Sequence, residues 1–201
     1  MTGNEDLKIG GIMLAAGGSS RLGQPKQFLQ FEGKTLLRRA AEALVESNCA
    51  PVIAVLGAEK EKAERELDDL PVRICWNQEW RTGMSSSIRV GLKDLLLIDP
   101  DLDAVLITLC DQPFVNAGTV GLITDRFAET NKRMVAARYG GVAGVPALFS
   151  REMFDALSKL SGDKGARDLL RDPNASIETV EIKEAAIDID THEDLGRLKV
   201  R

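Results

Sequence analysis

A short apolar run followed by a small, basic, glycine-rich loop occupies residues 12–26. The run Ile12-Met13-Leu14 has the character of a buried strand, and glycines at 17, 18 and 23 let the backbone turn tightly and approach a ligand. Arg21 and Lys26 add two cations to the loop. Backbone N–H groups and positive charge in one loop suit a polyphosphate. The alternative interpretation is a plain turn that connects a strand to a helix.

The glycine spacing of this loop differs from two common phosphate-binding motifs. No Gly-Lys-Ser/Thr follows four residues after a glycine, so the loop is not a P-loop. The glycines also do not fit Gly-x-Gly-x-x-Gly, the fingerprint of dinucleotide-binding folds.

Carboxylates accompany apolar residues at two places in the sequence, one of which is a candidate metal site from its residues alone. Asp111 follows the apolar run 104–110, and a carboxylate at the end of a buried strand needs a partner, for which Mg²⁺ with substrate phosphates is well suited. The alternative is a turn or cap aspartate before Pro113. Asp188 and Asp190 alternate with isoleucines near the end of the sequence and therefore share one face of an extended segment.

Composition indicates a globular protein with a sizeable core. The 201 residues are 44% hydrophobic and 28% charged, and we expect one domain over 1–201 with a loose tail over 1–8. A net charge of −5 argues against nucleic-acid binding. No apolar run is long enough for a membrane span, and no secretion signal is visible. Three widely spaced cysteines form neither a zinc motif nor a disulfide framework, which favours a cytoplasmic protein.

Strand-like and helix-like patterns alternate along the sequence. Strands are predicted at 9–14, 52–56, 72–75, 104–109 and 133–137, with amphipathic helical segments between them. Two further strand-like stretches, 145–149 and 177–189, surround two short helices. This alternation predicts an α/β fold with a mostly parallel sheet, in which ligands bind beyond the carboxyl ends of the strands.

The glycine-rich loop resembles a known signature. Leu-Ala-Ala-Gly-x-Ser-x-Arg-Leu-Gly-x-Pro-Lys is similar to the loop of nucleotidyltransferases that activate sugars, cofactors and alcohols with a nucleoside triphosphate. The resemblance implies a single-domain, Rossmann-like, three-layer fold. It also implies catalytic roles for Arg21, Lys26 and Asp111. Asp111 and Asp190 would bind the metal, with Asp188 as the alternative to Asp190. The implied nucleotide contacts in and near the loop are Leu14, Ala15, Ala16, Gly17, Gly18, Ser19, Arg21 and Lys26.

The middle of the sequence narrows the resemblance. The segment 77–91 is similar to Asn-Pro-x-Trp-x-x-Gly-Met-x-x-Ser-x-x-x-Gly of the molybdenum cofactor cytidylyltransferases, with Gln78 in place of the proline. The resemblance implies further nucleotide contacts from Asn77, Gly83, Met84, Ser85 and Ser86. Trp80 either anchors this loop or stacks on a ring.

Two later motifs resemble the same branch. Gly144-Val-Pro146-Ala-Leu-Phe and Leu-Ser-Gly-Asp163-Lys-Gly-Ala-Arg167 match its strand and its glycine-rich loop. They imply that Gly144, Pro146, Asp163 and Arg167 contact the acceptor.

The resemblance implies a Mg²⁺-dependent transfer of CMP from CTP to the terminal phosphate of the molybdenum–molybdopterin cofactor, with release of pyrophosphate. Ala16 favours CTP, since Leu-Ala-Ala-Gly accompanies CTP and Leu-Ala-Gly-Gly accompanies GTP in these enzymes. A molybdoenzyme or its maturation chaperone would receive the product. A guanylyltransferase that uses GTP is the alternative.

Parts of the sequence are also compatible with three different functions. The segment Pro25-Lys-Gln-Phe-Leu29 is close to that of the methylerythritol phosphate cytidylyltransferases. A dinucleotide-dependent oxidoreductase is compatible with the α/β pattern, although the glycine fingerprint is missing. A non-catalytic cofactor carrier is disfavoured by the intact set of cations and carboxylates.

Overall fold

The structure is a computed structural model that describes residues 7–17, 25–130, 132–172, 175–189 and 194. Strand bounds are β1 (Ile9–Ala15), β2 (Gln30–Phe31), β3 (Lys34–Thr35), β4 (Val52–Leu56), β5 (Val72–Trp76), β6 (Ala104–Leu109), β7 (Met134–Tyr139), β8 (Val142–Ser150) and β9 (Ile177–Glu181). Helix bounds are α1 (Leu36–Val45), α2 (Lys60–Leu67), α3 (Met84–Ile98), α4 (Ala117–Thr130), α5 (Phe154–Ser158) and α6 (Arg167–Leu170).

Seven strands form one sheet in the order β5-β4-β1-β6-β8-β7-β9, and β2 pairs with β3 in a small separate hairpin. All the neighbours in the large sheet run parallel except at β8, which is antiparallel to both β6 and β7. The predicted mostly parallel α/β sheet is therefore confirmed.

Helices cover both faces of the sheet, which makes three layers. Successive residues of a strand point to opposite faces, so Met13 packs in the core beneath α1, α2 and α4, whereas Ile12 and Leu14 pack in the core beneath α3, α5 and α6. The central strands β1 and β4 are buried along their whole length. Burial on both faces explains why they are apolar runs without alternation.

Strand order places a crevice beside β1. The chain leaves β1 for β4 and β5 on one side and later returns to the other side at β6. Loops that follow β1 and β6 therefore diverge, and such a switch point at the carboxyl ends of parallel strands is where α/β proteins bind ligands.

The predicted strands agree with the observed ones to within two residues, except near the end of the sequence. The predicted strand at 145–149 begins earlier, at Val142, and the two short helices are present as α5 and α6. The strand prediction for 177–189 is wrong beyond Glu181, because the chain turns into a single 3-10 turn, Lys183–Ala186. Ala185 is fully buried in that turn, and its carbonyl oxygen accepts a hydrogen bond from Gln112.

Of the predicted N-terminal tail, only Leu7 and Lys8 are described. The backbone of Lys8 donates to the Asp103 carboxylate at 3.0 Å, and its carbonyl oxygen accepts from the Asp103 amide. No helix within the described ranges combines the length and apolar content needed to cross a bilayer.

Candidate active site

The carboxyl end of β1 forms the floor of a cavity of about 390 Å³. Residues that line it are Leu14, Ala15, Ala16, Gly17, Lys26, Gln27, Trp80, Arg81, Gly83, Met84, Ser87, Leu109, Cys110, Asp111 and Asp163. Three of the predicted nucleotide contacts, Gly18, Ser19 and Arg21, lie outside the described residues. The structure thus brings the first part of the glycine-rich loop, Lys26 and Asp111 to one cavity.

Lys26 and Asp111 are in direct contact, although 85 positions separate them in the sequence. Lys26 begins a 3-10 turn, Lys26–Phe28, after the glycine-rich loop, and Asp111 follows β6. The Lys26 ammonium donates to the Asp111 Oδ2 atom, and the Asp111 side chain is mostly buried. A buried carboxylate is stabilised by such a cationic partner.

The second carboxylate oxygen of Asp111 fits a metal ion. Oδ1 is buried and has no hydrogen-bond partner in the described part of the protein. The described residues contain no group of three or more histidines, cysteines or acids that would hold a metal by itself. A Mg²⁺ ion commonly binds through one or two carboxylates together with substrate phosphates. Asp111 fits an ion that is bound in this way.

A main-chain hydrogen bond joins the segment that contains Asp188 to Asp111. The Ile189 amide donates to the Asp111 carbonyl oxygen at 3.1 Å. Asp188 precedes it and lines the neighbouring cavity. Asp190, the predicted second metal ligand, lies outside the described residues.

Cys110 lies beside Asp111 in the wall of the large cavity. Burial, reinforced by the charge of Asp111, raises the pKa of its thiol to about 12. The thiol is therefore protonated at neutral pH and is not a nucleophile there.

Several predicted nucleotide contacts serve the fold locally. The Asn77 side-chain amide donates to Ser86 Oγ at 2.8 Å and to Ser87 Oγ at 2.9 Å, and all three side chains are buried. Ser86 Oγ in turn donates to the Gly83 carbonyl oxygen at 2.8 Å. Asn77, Ser85 and Ser86 do not line either cavity, whereas Gly83 and Met84 do.

Gly83 joins the start of α3 to the loop around Asp163. Its φ of 114° lies in the region that favours glycine, and a Cβ there would lie 2.5 Å from the Gly162 carbonyl oxygen. That carbonyl accepts the Ser85 amide at 3.2 Å. The second glycine-rich loop is therefore packed on the N-terminus of α3.

Trp80 is packed against the loop that follows β4. A Cβ on Gly57 would lie 2.6 Å from Trp80 Cγ, so only glycine admits the ring at this position. The Arg81 guanidinium carbon lies 4.5 Å from the centroid of the Trp80 ring. Trp80 is thus an anchor of the loop and also part of the cavity wall.

A second cavity of about 190 Å³ adjoins the first. Leu14, Met84, Leu109 and Asp163 line both cavities. Of the predicted acceptor contacts, Gly144, Asp163 and Arg167 line the smaller cavity, whereas Pro146 is buried and does not. Its lining is apolar and polar in about equal parts. Lys164, Arg167 and Arg171 add positive charge to the wall, and Asp163 and Asp188 add negative charge.

A bulge in β8 shapes this smaller cavity. Ala136 pairs with Ala147 but Ala137 pairs with Gly144, so two residues of β8 have no partner in β7. The Val145 carbonyl oxygen in the bulge accepts from Gln112 Nε2 at 3.1 Å and from the Tyr139 hydroxyl at 3.2 Å. Burial, and then the charge of Asp188, raises the pKa of Tyr139.

Sequence reasoning missed some of the residues that line the two cavities. Gln27, Arg81, Cys110, Gln112 and Tyr139 contribute to the walls. Gln27, Cys110 and Gln112 are direct neighbours of Lys26 or Asp111, so position alone was a usable signal for them. Arg81 and Tyr139 are distant in the sequence from Lys26 and Asp111, and only tertiary contacts bring them to the cavity walls.

Residues 11–180 match the family model of the MobA-like NTP transferase domain. A nicotine blue oxidoreductase from Paenarthrobacter nicotinovorans is 32% identical over an alignment of 213 positions. The alignment covers 98% of this chain and 99% of that protein. The molybdenum cofactor cytidylyltransferase of Escherichia coli is 26% identical over 192 residues, with 94% and 95% of the two chains covered.

A solved structure is similar over nearly the whole chain. Rv0371c from Mycobacterium tuberculosis H37Rv superposes with a TM-score of 0.78 at 30% identity, covering 95% of this chain and 97% of that one. Another structure of that protein is a complex with manganese, with a TM-score of 0.77, 26% identity and the same coverage of 95% and 97%.

The family match spans most of the sequence and includes most of β1, Lys26, Asp111 and every residue that lines the two cavities except Asp188. The resemblance found in the motifs is therefore confirmed at the level of the family. The chain belongs to the MobA-like NTP transferase family and has the fold of a nucleotidyltransferase.

Proposed function

We propose that this protein transfers CMP from CTP to the terminal phosphate of a molybdopterin-type cofactor and releases pyrophosphate. The observation that carries the proposal is the Lys26–Asp111 pair in a cavity that shares a wall with a second, smaller cavity. The larger cavity takes the nucleotide and the smaller one takes the acceptor.

The reaction requires an in-line displacement at phosphorus. An oxygen of the acceptor phosphate attacks the α-phosphorus of the triphosphate, the bond to the bridging oxygen breaks, and pyrophosphate leaves with the electron pair. Lys26 and Arg21 offset negative charge on the triphosphate, and the cavity walls align the two reactants. Mg²⁺, held by Asp111 with Asp190 or Asp188, would supply further charge neutralisation.

CTP is the favoured nucleotide because of Ala16, which lines the cavity next to Gly17. GTP is the alternative donor. The proposed nucleotide contacts include those that line the cavity, together with Gly18, Ser19 and Arg21. Asn77, Ser85 and Ser86 would act by holding the start of α3 in place.

The smaller cavity supports an acceptor with an apolar or flat body and anionic groups. Apolar side chains such as Leu109 and Val142 supply about half of its lining, and Arg167 with the neighbouring Lys164 and Arg171 supplies positive charge. The name of the Escherichia coli relative favours the molybdenum cofactor. A different phosphorylated small molecule, such as methylerythritol phosphate, is the alternative, and a molybdoenzyme or its maturation chaperone would receive a cofactor product.

A pyrophosphate-release assay tests the proposal. CTP, GTP, ATP and UTP would each be combined with Mg²⁺ and with molybdopterin cofactor or methylerythritol phosphate. We expect release with CTP and the cofactor. Preference for GTP, or release only with methylerythritol phosphate, would replace the proposed substrates.

Asp111→Asn tests the role of the carboxylate in the same assay. The amide keeps the size of the side chain but loses the charge that a metal ion requires, so turnover should fall at least about 100-fold. Asp101→Asn, at an exposed carboxylate, is the matched control and should leave turnover unchanged. Native turnover in Asp111→Asn with Mg²⁺ would refute the metal role.

Similarity to nicotine blue oxidoreductase favours a second candidate, a redox reaction on a small organic substrate. That activity predicts a change in NADPH or NADH absorbance with a coloured heteroaromatic acceptor and no pyrophosphate release. Redox turnover without nucleotidyl transfer would select this candidate.

A further inference from the structure

One wall of the larger cavity is formed by a 3-10 turn, Trp80–Thr82, between β5 and α3. Trp80 and Arg81 both line the cavity from this turn. The Arg81 guanidinium carbon lies 4.5 Å from the Trp80 ring centroid, which is a cation–π contact.

Packing fixes the position of the Trp80 ring. The ring lies so close to Gly57 that a Cβ on the glycine would come within 2.6 Å of Trp80 Cγ and 2.8 Å of Trp80 Cβ. The ring is therefore a rigid platform. The cation–π contact with this ring holds the Arg81 guanidinium at the cavity wall before any ligand arrives.

Arg81 is not neutralised by a carboxylate of the described residues. Arg38, Arg39, Arg73, Arg126 and Arg133 pair with carboxylates. Within the part of the chain that the structure describes, Arg81 has only the Trp80 contact. Its donors and one face are therefore available to a ligand in the cavity.

Strand order indicates which part of a nucleotide Arg81 meets. Lys26 and Asp111 define the phosphate end, at the loops after β1 and β6. Arg81 follows β5, which lies two strand positions from β1 on the side away from β6. The packing of Trp80 on Gly57, after β4, places Arg81 on that side of the cavity floor, whereas Asp111 lies on the β6 side.

We infer that Arg81, held over the Trp80 ring by the cation–π contact, binds the nucleobase by stacking. This inference rests on the proposed nucleotidyltransferase function, because it assumes that a nucleotide occupies the larger cavity. Stacking on guanidinium planes suits any base, so Arg81 contributes affinity and orientation, whereas base selection lies elsewhere.

Isothermal titration calorimetry with CMP, CDP and CTP at constant Mg²⁺ and ionic strength tests the inference. Arg81→Gln should weaken binding of all three nucleotides, and of free cytidine measured beside them, by the same factor, about 5- to 20-fold, because the lost contact is to the nucleoside that they share. Arg81 is exposed, so the variant should fold normally. Arg65→Gln, an exposed arginine on α2, is the matched control and should bind like the native protein.

The phosphate series separates the outcomes. A loss that grows from CMP to CTP would assign Arg81 to the phosphates and overturn the inference, as would unchanged binding. Failure of the native protein to bind any nucleotide would overturn the proposed function and the inference together. Native binding with an unaffected Arg81→Gln variant would overturn the inference alone.

A double-mutant cycle tests whether Trp80 acts through Arg81. Trp80→Leu removes the platform, and Arg81→Gln in that background should cost little more affinity. Trp80→Phe keeps an aromatic face and should recover part of the binding. Full additivity of the Trp80→Leu and Arg81→Gln losses would mean that the two side chains act independently, which contradicts the stack.

Discussion

Gly57 determines where one wall of the larger cavity lies. The absence of a side chain lets Trp80 approach the loop after β4, and the same position is close to the Ala16 carbonyl oxygen in the cavity floor. Because glycine has no Cβ, Trp80 and the Ala16 carbonyl oxygen can both lie close to this position.

Gly57→Ala should lower the free energy of unfolding by about 1–3 kcal/mol, because the new methyl group overpacks against Trp80 and backbone. Urea denaturation followed by circular dichroism measures the change. Gly121→Ala is the control: a Cβ there meets nothing within 4 Å. It lies within α4, where alanine should raise stability by about 0.5–1 kcal/mol. Equal effects of the two changes would contradict the packing account.

At the residue scale, charged groups were easier to predict than polar ones. Lys26 and Asp111 follow from charge placed at the ends of predicted strands, because buried charge is costly without a role. Asn77 and Ser86 have the right chemistry for a ligand, yet they bond to each other. Residue type gives the capacity to donate or accept, whereas only the fold decides which partner is present.

The bulge of β8 forms part of the wall of the smaller cavity through Gly144 and Val145. Two donors hold the Val145 carbonyl oxygen: Gln112 from the turn after β6 and Tyr139 from the end of β7. Gln112 also reaches the Ala185 carbonyl at 2.8 Å and so ties the turn after β9 to the end of β6. Bulges beside active sites commonly redirect side chains in this way.

Gln112→Leu and Tyr139→Phe should be coupled in stability. Each single change leaves the Val145 carbonyl one donor, and the double change leaves it none. We expect losses of about 1–3 kcal/mol for Gln112→Leu and about 1 kcal/mol for Tyr139→Phe, with a double-mutant loss that exceeds their sum by about 1 kcal/mol. Urea denaturation of the four proteins measures the coupling, and strict additivity would rule out the shared acceptor.

At the element scale, hydrophobic periodicity predicted most of the sheet. Buried parallel strands such as β4 and β6 are continuous apolar runs, and their predicted bounds agree with the structure. The alternation at 187–190 mimicked a strand, but the chain leaves the sheet after Glu181. The bulge was also not predicted, because it depends on hydrogen bonds from the end of β6 and from β7 rather than on local pattern.

The whole molecule keeps its three cysteines as buried thiols, without disulfides. Burial raises the pKa of Cys49, raises that of Cys75 to about 11, and raises that of Cys110 to about 12. The folded protein therefore retains thiol protons at pH values where the unfolded chain has released them.

Stability should fall as pH rises above about 9, the ordinary thiol pKa. There the unfolded chain binds fewer protons than the folded protein, so the free energy of unfolding decreases with pH, by at most about 1.4 kcal/mol per pH unit for each thiol. Urea denaturation at about pH 8, 9 and 10 under reducing conditions measures the slope. Cys110→Ala should make the slope shallower, and an unchanged slope would contradict the assignment.

Fold class and family were predictable at the scale of the whole molecule, because motifs distributed over most of the sequence agree with one architecture. The division of the site into two adjoining cavities was not predictable from the sequence. It depends on the packing of the loop at Gly162 on the start of α3, a contact between segments about 80 positions apart.

The contact between Lys26 and Asp111 has a kinetic consequence. In the empty protein these opposite charges satisfy each other, so a ligand must exchange partners with both. Under the proposed function, a metal ion at the second carboxylate oxygen would compete with Lys26 for the charge of Asp111, and a triphosphate would compete with Asp111 for the charge of Lys26. The metal–triphosphate complex would replace both partners at once. We therefore expect the pair to favour this complex over either component alone.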